Sequence, residues 1–283
     1  FSKAFDRVDH TLLLNKLVAH GVPHTLIKWL FSFLKDRGQR VKIGQIYSTW
    51  STLAAGFPQG TWLGPLAFIV IIDDLQPPCA VHKFVDDTTF TEIVAPKNTP
   101  SRMDEFCGEL EQWSAQNCMK VNYTKTKEML LGKFKNQSTP MLTISGNPIQ
   151  RVSCFKLLGV HITDNLLWEN HVDSICSKVN TRLYFLKRLK RAGLSVKDLR
   201  CFYTTMILPI LEYACVVWHH GLSKAQSGRL EALQKRAVRI IHGRAVYNMP
   251  YEEMLALSHL ESLSHRRTAL GRSFFTKTIQ PHS

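Results

Sequence analysis

The sequence predicts an α+β fold, with strand hairpins and packed helices in its front half and basic helices in its back half. Three observations carry this. The run Lys83-Phe84-Val85-Asp86-Asp87-Thr88-Thr89-Phe90 has strand propensity on both sides of two adjacent carboxylates, the pattern of a hairpin with charge at its tip. Beyond residue 168, leucines recur at helical spacing with lysines and arginines opposite them. The chain has 283 residues, 45% of them hydrophobic, which suits one large domain or two small ones.

Taken in order, Asp9 suits the N-cap of a helix running through Leu12, Leu13, Leu17 and Val18 and stopping at Gly21. A second helix from about His24 to Lys35 carries Leu26, Ile27, Leu30, Phe31 and Leu34 at helical spacing and ends near Gly38. Gln39 to Gly44 and Tyr47 to Leu53 read as a hairpin with Val41 and Ile43 on one face. From Gly56 to Leu66, three glycines and two prolines specify a shaped loop, and Pro65 suits the first turn of the apolar helix that follows. So bare a loop lets backbone approach a ligand, and Gln59 is placed to hydrogen-bond a base or sugar; a purely structural turn is the alternative. At the hairpin tip, Asp86 and Asp87 repel each other, a cost that a bound divalent cation would offset. An ordinary Asp-rich surface turn is the alternative there. Lys133 to Pro140 reads as a loop, and the polar segment from Leu166 to Asn170 as the boundary between domains 1–165 and 166–283.

The charge balance names a class of partner. Lys and Arg outnumber Asp and Glu by 36 to 22, a formal +14, so an anionic partner is expected, nucleic acid before an anionic membrane surface. Between Tyr184 and Arg244, twelve Lys/Arg face three acids. Leu183, Leu186 and Leu189 share one helical face, and Leu230, Leu233, Ile240 and Ile241 repeat the arrangement around Lys235, Arg236 and Arg239. Such helices suit phosphate contact without sequence readout, with plain solvated faces as the alternative. The longest apolar run, Leu66 to Leu75, is broken by Asp73 and Asp74, so no run spans a bilayer. Seven cysteines without a Cys-x-x-Cys pair argue for reduced, intracellular thiols and against a zinc finger. No secretory signal is visible, and a start at Phe1 rather than Met reads as a piece of something longer.

Three stretches together resemble the reverse transcriptases of non-long-terminal-repeat, LINE-like retrotransposons. They are Phe-Ser-Lys-Ala-Phe-Asp at residues 1–6, Gly-Phe-Pro-Gln-Gly-Thr with Leu-Gly-Pro-Leu at 56–66, and Phe-Val-Asp-Asp at 84–87, in the family's order. Trp113, Asn117, Val121-Asn122, Lys125-Thr126 and Met129 resemble its next motif, and Phe155 to Val160 its primer-grip hairpin. Trp168, His171, Pro209 to Ala214 and Leu230 to Ile241 resemble the region that follows the polymerase.

The resemblance implies a right-hand polymerase palm, an antiparallel sheet with packed helices, followed by a helical thumb and extension, with most of the fingers missing. It implies nucleotidyl transfer, in which a DNA primer 3′-hydroxyl on an RNA template attacks a dNTP, assisted by two Mg²⁺ ions about 4 Å apart. Asp86 and Asp87 would be catalytic metal ligands, Asp86 bridging both ions, and Lys125 would donate a proton to pyrophosphate or be an ordinary exposed lysine. Phe5 would pack under the incoming sugar or simply in the core. Gly56, Pro58, Gln59 and Gly60 would shape the nucleotide pocket, and Lys156, Leu157, Leu158 and Gly159 would grip the primer terminus. By family the protein would be nuclear and make no membrane contact.

The chain also departs from the family pattern. The third metal-binding carboxylate belongs directly before Phe1, and Asp6 is not its equivalent, so the 283 residues are expected to bind metal poorly and to polymerise little. Asp73, Ile71, Trp62 and Leu158 stand where the family more often has Asn, Tyr, a smaller apolar residue and Tyr. A non-catalytic remnant that binds nucleic acid through its basic helices is the alternative.

Overall fold

A computed structural model describes residues 1–58, 60–94, 100–132 and 139–280. The chain divides into two compact units, Phe1–Val152 and Ser153–Ser283. The predicted loop at 133–140 falls largely outside the described residues.

In the first unit the Asp9 carboxylate accepts from the Leu12 amide at 2.8 Å and starts α1 (His10–Ala19), beyond which Gly21 turns at φ 73°. Helix α2 (His24–Leu34) follows Pro23. The next hairpin pairs in two steps, β1 (Arg37–Gln39) with β4 (Ser51–Leu53) and β2 (Lys42–Ile43) with β3 (Ile46–Tyr47). Val41 and Ile43 are exposed on it, and the Arg40 guanidinium lies 4.0 Å from the Tyr47 ring centroid and 4.7 Å from that of Trp50.

Helix α3 (Leu63–Ile72) has Pro65 in its first turn and forms the spine of this unit. Its Phe68 and Ile71 are fully buried, in a core shared with Val8, Leu13, Leu34 and Trp113. The last carbonyls of a helix have no partner inside it. Two lysines take them here: Lys16 donates to the Ile71 carbonyl at 2.6 Å, and Lys83 to those of Ile72 and Asp73 at 2.8 and 3.0 Å. Burial pushes the Lys83 ammonium below its ordinary pKa.

β5 (Ala80–Phe84) and β6 (Asp87–Thr91) form the predicted hairpin, in register from Ala80↔Thr91 to Phe84↔Asp87. Helix α4 (Met103–Gln116) buries Trp113, whose indole N–H donates to Asp74 at 2.9 Å. Partial burial would raise the Asp74 pKa, but the hydrogen bonds from Lys16 and Trp113 hold it below the usual value. β7 (Lys127–Glu128) pairs in parallel with β10 (Gln150–Arg151), and β8 (Thr143–Ile144) pairs antiparallel with β9 (Asn147–Pro148).

One expectation needs correction. Instead of a continuous antiparallel sheet, the described residues form six separate two-stranded ladders, one of them parallel. Strands of two to five residues offer few free backbone groups to a third neighbour, and Pro148 removes a donor. The fold remains a mixture of helices and small sheets.

The second unit opens with the hairpin β11 (Cys154–Leu157) and β12 (Val160–Thr163) and is otherwise helical. Helix α5 (Glu169–Arg191) buries Val172, Ile175, Val179, Leu183 and Leu186. α6 (Val196–Phe202) starts under a Ser195 cap and passes through a π-helical turn at Tyr203–Ile207 into α7 (Leu208–Glu212) and the short α8 (Cys215–Trp218). A Ser223–Gln226 capping box opens α9 (Lys224–His242), which lays Leu230, Ala237 and Ile241 against α5. α10 (Tyr251–Ser258) and α11 (Leu263–Ile279) complete the unit.

The nearly continuous helical stretch Val196–Gly221 is long and apolar enough to cross a bilayer by length and composition, although no uninterrupted apolar run in the sequence is. Glu212 and the hydroxyl residues of this stretch interrupt its apolar run without removing its overall apolar character. Its Leu199, Tyr203, Ile207, Leu211 and Trp218 are fully buried in the unit's core.

His171, on the first turn of α5, is buried beside Trp168 and Trp218, and its Nδ1 lies 3.3 Å from the His161 amide, which donates to it. Burial first, then His161 and Lys178, push its pKa down to about 4. Below an unfolded value near 6.5 the unfolded chain takes up the proton more readily. Stability is therefore full above that pH and falls between about 6.5 and 4, by an amount on the order of 3 kcal/mol. Urea unfolding at stepped pH should follow this slope, and His171→Asn, which keeps an acceptor, should flatten it. Parallel slopes in the two proteins would remove His171 as the cause.

Candidate functional site

At the tip of the β5–β6 hairpin only Val85 and Asp86 lie between the paired residues Phe84 and Asp87. Val85 takes φ 57° and Asp86 does not share the positive sign, the pattern of a II′ turn. A β-branched residue rarely adopts this conformation, so the turn is strained at the residue preceding the carboxylates. Val85 is partly buried against the core of the first unit. Asp86 is half-buried and Asp87 exposed, and among the described residues neither side chain has a hydrogen bond or ion pair. The neighbouring Asp74 is by contrast consumed by Lys16 and Trp113.

Phe5, Gly56 and Pro58, expected from the sequence at a nucleotide pocket, share one neighbourhood. The Phe57 amide donates to the Phe5 carbonyl at 3.0 Å, the Gly56 amide donates to the Val8 carbonyl at 2.9 Å, and His10 Nε2 lies 2.7 Å from the Gly56 carbonyl. Gly56 has φ 82°, and a Cβ there would sit 2.8 Å from the Cα of Asp6, so only glycine fits. The Phe5 ring packs on Phe68 at 5.3 Å between centroids while remaining partly exposed. The expected core packing of Phe5 is therefore present, with part of the ring left accessible. The Thr61 hydroxyl donates to the Pro58 carbonyl at 2.9 Å and closes the loop, and Gly60 is open at φ 82°. Gln59 lies outside the described residues. Trp62 is 96% exposed beside this loop.

Lys125 is exposed in a turn held by its own amide on Asn122, and no hydrogen bond or ion pair among the described residues joins it to Asp86 or Asp87. In the second unit, Lys156 and Leu157 end β11, and Leu158 and Gly159 form a two-residue turn with φ 44° and 89°. Gly159 supplies the conformational freedom that a I′ turn needs, and Leu158 is strained in it. Tyr213, 55 residues further on and marked by no local pattern, reaches this turn: its hydroxyl donates to the Leu158 carbonyl at 2.8 Å.

The family model for reverse transcriptase (RNA-dependent DNA polymerase) matches residues 1–162, more than half of the chain. The chain belongs to the reverse transcriptase family. A second, shorter match, to the N-terminal region of alkylated DNA repair protein alkB homolog 8, covers residues 168–207. Among curated relatives, the probable RNA-directed DNA polymerase from transposon X-element of Drosophila melanogaster is 26% identical over 252 residues, 85% of this chain and 27% of the relative. The probable RNA-directed DNA polymerase from transposon BS of the same species is 28% identical, over 84% of this chain and 28% of the relative. The RNA-directed DNA polymerase from its mobile element jockey is 26% identical, over 87% and 28%. This reverse transcriptase chain therefore spans just over a quarter of the length of these relatives.

The donor set fits a divalent cation in kind and falls short in number. Two adjacent carboxylates without partners among the described residues, at a strained tip, suit an oxygen-liganded ion. Among the described residues no group of three or more His, Cys, Asp or Glu gathers to complete such a site.

Proposed function

We propose that this chain is a segment of the RNA-directed DNA polymerase of a LINE-like retrotransposon, with the palm in residues 1–165 and a helical thumb and extension in 166–283. The observation that carries it is the pair Asp86–Asp87, presented without partners among the described residues at the tip of a hairpin in a chain of the reverse transcriptase family. Asp86 and Asp87 would hold Mg²⁺, which when bound stabilises the attacking and leaving oxygens of phosphoryl transfer. Phe5 and the backbone of Gly56 and Pro58 would line the place of the incoming dNTP. Lys156 to Gly159 would hold the DNA primer terminus on its RNA template, and Lys125 would protonate the departing pyrophosphate.

Two carboxylates leave the charge of a cation pair undercompensated. The 283-residue polypeptide is therefore expected to extend a primer feebly, and the same polypeptide with an aspartate directly before Phe1, in a longer in-frame segment, to extend it at least tenfold faster. Mg²⁺-dependent incorporation of dNTP on an RNA–DNA primer–template measures this. Equal, robust extension by both would overturn the role given to the third carboxylate, and no extension by either would count against the polymerase reading.

A second reading, a non-catalytic remnant that binds nucleic acid, is favoured by the second unit's surface. Lys187, Arg191, Lys197, Arg239 and Arg244 are exposed and form no ion pair among the described residues. Others are used internally: Arg229 by Glu169 and Asp173, Arg236 by Asn180, Lys190 by the Ile241 carbonyl. Binding that weakens steeply with salt, without extension, would support this reading.

A further inference from the structure

The chain leaves helical geometry for two residues between α7 and α8, and Tyr213 is the first of them. It leaves α7 at φ −54° and ψ 124°, and Ala214 after it is left-handed at φ 50°. The backbone around it is held firmly. Pro209 stiffens the first turn of α7, the fully buried Trp218 donates its indole N–H to the Tyr213 carbonyl at 2.9 Å, and Arg266 holds the adjacent Glu212 carboxylate at 2.5 and 3.1 Å. The Tyr213 side chain itself is 55% exposed, so core packing does not explain where it points.

It points to the turn of the β11–β12 hairpin. Besides the hydroxyl bond to the Leu158 carbonyl, the ring lies so close to Gly159 that a Cβ there would be 3.0 Å from Cε1 and 3.4 Å from Cζ and the hydroxyl oxygen. The turn it touches holds two consecutive left-handed residues, one of them a leucine, and such a turn has easier conformations to relax into. An exposed hydrogen bond competes with water and adds little to overall stability. What it does is restrict the turn to one conformation before anything binds, and lower the entropic cost of binding.

We infer that Tyr213 is a positioning residue for the Leu158–Gly159 turn, holding it preformed for the primer terminus without touching the nucleic acid itself. The inference rests on the reading of residues 156–159 as the primer grip.

The test uses the whole chain, Tyr213→Phe, which keeps the ring, and Tyr213→Ala, which removes it. Three quantities are measured: amide hydrogen exchange across residues 154–163, the thermal midpoint, and dissociation constants for an RNA–DNA duplex with a recessed DNA 3′ end and for a blunt duplex of equal length. Exchange at Leu158 to Val160 should rise several-fold in Tyr213→Phe and further in Tyr213→Ala, with little change in midpoint. Recessed-end binding should weaken about 3- to 10-fold, most in the alanine variant, while blunt-end binding holds. Unchanged exchange in both variants overturns the inference whatever the binding data say. Faster exchange with undiminished end discrimination reduces Tyr213 to a structural contact and also overturns it. Absence of end discrimination in the wild-type chain overturns the grip reading, and the inference with it.

Discussion

Asp86→Asn is expected to lower Mg²⁺-dependent primer extension at least a hundredfold, in whichever of the two polypeptides above extends, and to leave the fold intact. Asparagine has the shape of aspartate and tolerates the same turns, so the substitution removes charge and little else. Because no protein group among those described is paired with Asp86, stability should stay within about 0.5 kcal/mol of wild type. Cation affinity should suffer directly. A direct Mn²⁺ titration, which needs no catalysis, should show at least a tenfold weaker dissociation constant, about 1.4 kcal/mol. Asp87→Asn should cost less if Asp86 is the bridging ligand. Unaltered Mn²⁺ affinity in Asp86→Asn would sink the metal assignment, and a large loss of stability would recast Asp86 as a structural residue.

The largest effect on stability is expected from Trp218→Ala. Trp218 is fully buried in the second unit, stacks edge-on against His171 at 5.3 Å and lies under the guanidinium of the buried Arg267 at 5.5 Å. Truncating such a side chain leaves a large cavity and typically costs about 3–5 kcal/mol. Two further losses add to it. The Tyr213 carbonyl loses its donor, and Arg267, whose Nη1 and Nη2 already lack hydrogen-bond partners among the described residues, loses the ring face that accommodates its charge. Urea unfolding followed by helical ellipticity should place the variant's midpoint far below wild type, with Trp218→Phe between them. A cost under about 1.5 kcal/mol would mean that the surrounding helices collapse onto the space, and the tightness attributed to this core would be wrong.

Local chemistry was readable wherever it decided the outcome. Asp9 as a cap, Pro65 in a first turn, and the leucine faces of α5 and α9 follow from rules that act within a few residues, and the structure has each of them. The hairpin around Asp86 and Asp87 was equally legible as an element. Its strained turn was not, because Val85 is among the residues least suited to φ 57°, and only the register imposed by the strand pairs puts it there. The broken sheet was also hidden: β7 pairs with β10 across 23 residues, and no alternation in two-residue strands announces such a partner. The lysines capping α3 and the reach of Tyr213 join residues 10 to 55 positions apart, and composition says only that they are polar.

The Lys83 bonds to the end of α3 bear on how still the two aspartates stand. A two-stranded ribbon without a third strand is a compliant beam, and the sway of its tip grows steeply with the length left unsupported. Here the clamp is not at the root. Lys83 pairs with Thr88, one residue short of the Phe84–Asp87 pair that closes the turn, so nearly the whole ribbon lies behind the clamp. Beyond the clamp lie a single residue pair and the turn, roughly 7 Å at about 3.3 Å per residue, and Val85 in that turn packs against the core. A two-stranded hairpin thereby gains the stiffness of a much shorter one at the end where its carboxylates sit.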